Sequence, residues 1–174
     1  ALAQYFYVDK ATYPNGFNLT DLRFQGQNGQ DPVIEIYDGS RSISTASLIQ
    51  KVNYDFWGYN YPITLKEQIH FAPGSSFWVV AKFPAGAKNP LGTGKTSRTD
   101  VAQYSFYSSD NGTTWTQLSE VLKGTSFEAV ASQLTWAVQA ISKNPDWSEV
   151  LNPEPISGEV RPNESQKVTL KNDG

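Results

Sequence analysis

The chain has 174 residues, of which 39% are hydrophobic and 18% charged, which supplies a sizeable core and carries no compositional sign of disorder. Its net charge is −3 and no run of basic residues forms a stripe, so nucleic acid is excluded as a partner class. No apolar stretch approaches the roughly 18 residues that span a bilayer, and the lack of Cys removes disulfides, thiolate metal sites and cysteine nucleophiles.

Short runs rich in aromatic and β-branched residues, alternating with polar ones at period two, dominate the chain. They predict strands over Gln4–Lys10, Leu19–Gln25, Val33–Tyr37, Leu48–Tyr54, Ile63–Phe71, Phe77–Phe83, Gln103–Ser108 and Leu134–Ile141, with Thr114–Leu118 as a further pair partner. Phe77–Phe83 is almost continuously apolar, as a central strand buried on both faces requires. Pro14-Asn15-Gly16, Asn28-Gly29, Asp38-Gly39, Pro73-Gly74 and Asp110-Asn111-Gly112 supply the reversals. A helix fits Glu120–Lys123 or, better, Phe127–Leu134, where apolar residues at 127, 130, 131 and 134 follow a period near 3.6. The predicted fold is an all-β, antiparallel, jelly-roll-like β-sandwich with a short C-terminal extension.

Asn144-Pro145 and Asn152-Pro153-Glu154-Pro155 break regular structure and mark a boundary. Residues 1–143 are therefore read as the sandwich. Residues 144–174 are read as a linker with the first strands of a truncated immunoglobulin-like module, or as an appendage docked on the first domain. The opening Ala1-Leu2-Ala3-Gln4 is too short for an intact signal peptide, so any export signal is expected to have been removed.

Several motifs carry less chemistry than their letters suggest. Gly92-Thr93-Gly94-Lys95-Thr96 resembles the end of a phosphate-binding loop, but Asn89 stands where the first Gly belongs and no amphipathic helix follows. The segment Ala85–Asp100 reads instead as a mobile surface loop. Gly124-Thr125-Ser126 is similar to the nucleophile triplet of subtilisin-like peptidases, yet Phe127-Glu128 follows it and His70, in a strand-like run, is the only base. One His also leaves a metal site short of ligands. Glu35, Asp38, Asp55 and Glu67 show no spacing beyond strand edges and turns. The reading is of a non-enzyme without metal or cofactor.

Ser108-Ser-Asp110-Asn-Gly112-Thr-Thr114-Trp115 matches the Asp-box hairpin signature position by position. Asp110 is expected to accept turn N–H groups, Gly112 to take a positive φ and Trp115 to pack back across the hairpin. Asn18, Asn111 and Asn163 lie in Asn-x-Ser/Thr sequons.

A candidate binding surface combines two segments. Tyr54, Phe56, Trp57, Tyr59 and Tyr61 crowd into eight positions, and their rings either bury against the sandwich or stand exposed to sugar or protein. Lys88, Lys95 and Arg98 would add a cationic rim suited to an acidic sugar or an extended peptide, if the two segments adjoin.

The run Pro155-Ile-Ser-Gly-Glu-Val-Arg-Pro-Asn-Glu-Ser-Gln-Lys-Val-Thr-Leu170 after Trp147-Ser148 resembles the opening of immunoglobulin-like modules of secreted bacterial peptidases. The segments Phe77–Phe83, Tyr104–Trp115 and Thr135–Ile141 together resemble the lectin-like β-sandwich that follows the catalytic domain in exported papain-like and subtilisin-like proteases. The resemblance implies a secreted or cell-surface accessory domain, without membrane insertion, joined in cis to a catalytic domain that is most similar to the subtilisin group. It carries over no catalytic residue. A carbohydrate-binding module using an aromatic platform is the competing expectation.

Overall fold

The computed structural model describes residues 1–25, 31–39, 41–53, 62–87, 92–95, 103–143 and, for backbone pairing, 148–151. Among the described residues, twelve strands run in the order β1 (Leu2–Tyr7), β2 (Phe17–Phe24), β3 (Val33–Asp38), β4 (Leu48–Asn53), β5 (Pro62–Phe71), β6 (Ser76–Lys82), β7 (Thr93–Lys95), β8 (Ser105–Tyr107), β9 (Thr116–Gln117), β10 (Leu134–Trp136), β11 (Val138–Lys143) and β12 (Ser148–Leu151). One helical turn, α1 (Leu118–Val121), and 3₁₀ turns at Ile43–Thr45 and Glu128–Gln133 complete the described elements. A six-stranded sheet in the order β4-β3-β6-β1-β8-β9 packs against a four-stranded sheet in the order β12-β11-β2-β5, and β7 pairs with β10 beside them. All the pairings among the described residues are antiparallel. The predicted all-β sandwich is the observed fold.

Alternation in the strands makes the core. Phe6 and Val8, Ile34 and Ile36, and Phe77 and Val79 from one sheet meet Phe17, Leu19, Leu22, Ile63, Phe71 and Ala140 from the other. Each such side chain removed from water contributes about 1.5–3 kcal/mol before entropy is counted. Phe6, Phe77 and Phe71 form a stack across the two sheets, with ring centroids 5.1 and 4.2 Å apart. The strand β6 lies between β3 and β1, and Phe77 through Ala81 are all buried. Its continuous apolar run is explained by a second cluster on the opposite face, where Trp78 and Val80 pack with Ala3 and Ile43.

One buried polar network joins the layers. The Gln4 side-chain carbonyl accepts from the Ser105 hydroxyl at 2.7 Å and from the Trp136 backbone N–H at 3.1 Å. The Trp136 indole N–H donates to the Phe106 carbonyl at 2.8 Å. Strands β1, β8 and β10 are thereby fixed to each other by groups that would be costly to leave unpaired in the interior.

Several sequence expectations change in detail. The run Leu134–Ile141 is two strands, because the chain changes sheets at Ala137. There Ala137 donates to the Gly92 carbonyl at 2.9 Å, and Gln25 donates to the Ala137 carbonyl at 3.0 Å. The same contact corrects the reading of Ala85–Asp100 as one surface loop, since Thr93–Lys95 is a strand on β10. The α-helical turn falls at Leu118–Val121, overlapping the first helical candidate, and Glu128–Gln133 in the preferred one is 3₁₀. Phe127, which supplied part of its apolar period, is 55% exposed.

Residues beyond Lys143 were expected to leave the sandwich as a linker and truncated module, or to dock on it as an appendage. Ser148–Leu151 pairs with Ala140–Lys143 as an edge strand of the four-stranded sheet. An edge demands only one bonded side, which suits a short strand flanked by Pro145 and Pro153. The immunoglobulin-like reading of the remaining tail concerns residues 152–174, outside the described residues.

Candidate functional site

The Asp-box hairpin has the geometry its sequence dictates. Asp110 Oδ1 accepts from the Ser108 hydroxyl at 2.7 Å and from the backbone N–H groups of Thr113 and Thr114 at 3.1 and 2.9 Å. Its Oδ2 accepts from the Thr114 hydroxyl at 2.6 Å. Bonds from Thr114 and Ser108 hold the Asp110 carboxyl far below the usual carboxylate range. Gly112 has φ +100°, and Asn111 before it has φ +59°. Trp115 packs, half-buried, against the second cluster.

That cluster lies on the outer face of the six-stranded sheet, and it gathers aromatic rings beside charged groups. Strand register places Tyr37 opposite Trp78 and Trp78 opposite Tyr5, and the Tyr5 N–H donates to the Tyr104 carbonyl. The four residues thus form a row across β3, β6, β1 and the start of β8. Tyr5 meets Trp78 edge-on at 5.0 Å and lies 4.8 Å from Tyr104, while Phe106 meets Trp78 edge-on at 5.6 Å. Trp78 is fully buried beneath its neighbours. Tyr5, Tyr37, Tyr104 and Phe106 are half-buried, and Tyr7, two residues on from Tyr5, is exposed.

A charged network borders the rings. Glu35 sits between Ile34 and Ile36, and its side chain, only 6% exposed, turns to the outer face. Lys82 Nζ reaches Glu35 Oε2 at 2.8 Å, Lys51 Nζ reaches Oε1 at 3.6 Å, and the Tyr37 hydroxyl donates to Oε2 at 2.5 Å. Burial alone would push the Glu35 carboxyl up, but bonds from Lys82 and Tyr37 and the charges of both lysines hold it below its ordinary value. Burial and the facing carboxylate push the Tyr37 hydroxyl far up, so it stays a donor. The Asp-box reaches this network as well. A Cβ on Gly112 would lie 3.3 Å from Lys82 Cε and 3.3 Å from the Trp115 ring, so the bare backbone of Gly112 is the seat on which the Lys82 side chain rests.

The other sequence-predicted residues fall elsewhere. Tyr54, Phe56, Trp57, Tyr59, Tyr61, Lys88 and Arg98 lie outside the described residues. Lys95 is exposed on β7. His70 Nδ1 lies 2.8 Å from Asn18 Oδ1 on the surface of the four-stranded sheet, and Ser126 is exposed in the turn before the 3₁₀ segment. Among the described residues no group of three or more His, Cys, Asp and Glu is placed to hold a metal ion, and no helix is long and apolar enough to cross a membrane.

On the outer face of the four-stranded sheet, Asp21 is buried and accepts from the hydroxyls of Thr20 and Thr64, each at 2.7 Å, and from Lys143. Burial raises its carboxyl, and these bonds more than offset that and leave it below its ordinary value. Every partner is local to β2, β5 and β11, which marks the cluster as a strand fastening.

Sequence reasoning missed Tyr5, Tyr37, Trp78, Tyr104 and Phe106 as a group. The available signal was parity: in Ala3-Gln4-Tyr5-Phe6-Tyr7 the two hydroxylated rings share one face while Phe6 takes the other. A carboxylate between two isoleucines in β3 was the second sign. No protein-family model, curated protein or solved structure matches the chain. The fold therefore defines a class, the all-β sandwich, and the function rests on the site.

Proposed function

We propose that the chain is a non-catalytic accessory module that docks a ligand on the outer face of the six-stranded sheet. The observation that carries this reading is the row Tyr37, Trp78, Tyr5 and Tyr104, held in register across adjacent strands. A sheet face exposed to water ordinarily carries isolated polar side chains. Here hydroxylated rings are presented on rigid strands, with a buried Trp beneath them and the Glu35, Lys82 and Lys51 network at their border. The parent context of this module, a secreted bacterial serine peptidase, is supported by the sequence resemblance.

Carbohydrate is the ligand class that this surface favours. Pyranose rings present apolar faces for stacking, and their hydroxyls bond to mixed donors and acceptors. The Tyr hydroxyls, each donor and acceptor, supply both. The test is binding of the full chain to an oligosaccharide array, with Tyr5→Ala and Tyr104→Ala as site variants and His70→Ala on the other sheet as the control. Each ring removed should weaken binding about threefold to tenfold, with the control unchanged. Binding that survives both Tyr substitutions would overturn the placement of the site. Peptide hydrolysis by the chain, abolished by Ser126→Ala, would overturn the non-catalytic reading.

A further inference from the structure

We propose that Asn111–Gly112 is a self-modification site, and that the Asp-box hydrogen bonds gate its conversion to aspartate and isoaspartate. Asn111 is exposed at the tip of the hairpin, and its carboxamide makes no hydrogen bond among the described residues. The residue after it is Gly, so no side chain shields the backbone nitrogen. In the reaction the Gly112 nitrogen loses its proton and attacks Asn111 Cγ. A new C–N bond closes a five-membered succinimide, the carboxamide C–N bond breaks, and the nitrogen leaves as ammonia with the displaced proton. Water then opens either carbonyl of the ring, giving Asp or isoaspartate. The net change is one water consumed and one ammonia released, with no oxidant or cofactor.

The folded hairpin opposes the first step. Gly112 N–H donates to the Ser108 hydroxyl oxygen at 2.7 Å, and Ser108, which is buried, donates in turn to Asp110 Oδ1 at 2.7 Å. The nucleophilic nitrogen is thus held as a donor, aimed at Ser108. Ring closure requires rotation of the peptide unit between Asn111 and Gly112, which carries that nitrogen away from Ser108. Modification therefore proceeds through the opened turn, and its rate reads the opening of the box. The isoaspartate product adds a backbone methylene between Asp110 and Thr113. Asp110 Oδ1 then loses the spacing by which it bonds both the Thr113 and Thr114 N–H groups, so closure of the box is lost for good.

The experiment ages the full chain in mildly alkaline buffer, with a matched sample in denaturant. It follows the peptide containing Asn111 by mass spectrometry, with fragmentation that separates Asp from isoaspartate. Ser108→Ala, which removes the hydroxyl holding Gly112, should speed conversion roughly fivefold over the folded wild type. Thr114→Val removes one bond to Asp110 at an exposed position where folding is not at risk, and should speed it by about twofold. The denatured wild type should be fastest. Equal rates in folded wild type, both variants and denatured chain would overturn the gate, and absence of conversion in the denatured chain would overturn the site.

Discussion

Lys82 Nζ lies 2.8 Å from Glu35 Oε2, and this pair ties the central strand β6 to its neighbour β3 on the outer face of the sheet. Glu35 is the buried member, while the Lys82 side chain keeps 26% of its surface in water. Lys82→Met should therefore cost about 2 kcal/mol, below the range for a fully buried pair, because only one partner is stranded. Urea unfolding at neutral pH measures it. A loss within experimental scatter of zero would mean that Lys51 and Tyr37 suffice for Glu35.

The acid limb of stability follows from the same carboxylates. Glu35 and Asp21 both have folded values below their ordinary ones. Their stabilisation is then full above the unfolded values near pH 4 and is lost as pH falls through the lower folded values. Lys82→Met removes the main group that offsets burial at Glu35, so the folded carboxyl rises toward or past its unfolded value and the acid limb should become shallower. Unfolding free energy measured from neutral pH downward checks the direction, and an unchanged limb would separate Glu35 from acid stability.

Gly112→Val should act through two routes. The φ of +100° is strained for a β-branched residue by roughly 1–3 kcal/mol, and the new side chain meets Lys82 and Trp115. Displacement of Lys82 predicts coupling to Glu35. In a double-mutant cycle the losses from Gly112→Val and Lys82→Met should sum to more than the double variant shows. Strict additivity would confine the effect to the hairpin. Asp110→Ala should lower the melting temperature through the loss of the turn bonds.

Gln4→Leu should be among the costlier single changes. It leaves the Ser105 hydroxyl and the Trp136 N–H without their acceptor in the interior, a loss of roughly 2–4 kcal/mol. Ser105→Ala removes one donor and leaves Gln4 bonded to Trp136, so about 1 kcal/mol is expected. Similar stabilities for the two variants would contradict the network as described.

Limited proteolysis should give a stable fragment ending between residues 144 and 156. Among the described residues the strand β12 pairs with β11 on one side, so its release leaves the six-stranded sheet and β2, β5 and β11 paired. Rapid degradation of the fragment would show that β12 is required for the fold.

Strand positions, the central placement of β6 and the Asp-box were legible in the sequence because each is written locally. Period-two alternation sets a strand, an unbroken apolar run sets burial on both faces, and Asp110 with Gly112 sets its own turn. The candidate site was not legible in this way. The aromatic segment Tyr54–Tyr61 drew attention by density, whereas Tyr5, Tyr37, Trp78 and Tyr104 are each unremarkable among their neighbours. Nothing near Gln4 announces Ser105 or Trp136, and nothing in Leu134–Ile141 announces that Ala137 bonds to Gly92 and Gln25.

The sequence by itself determined the all-β class and the faces on which individual side chains fall, because both follow from backbone geometry within a few residues. Only the tertiary structure decided which strands become neighbours and in what register. That choice depends on burying the two apolar faces against each other, and it aligned rings from residues 5, 37, 78 and 104 into one row beside Glu35 and Lys82.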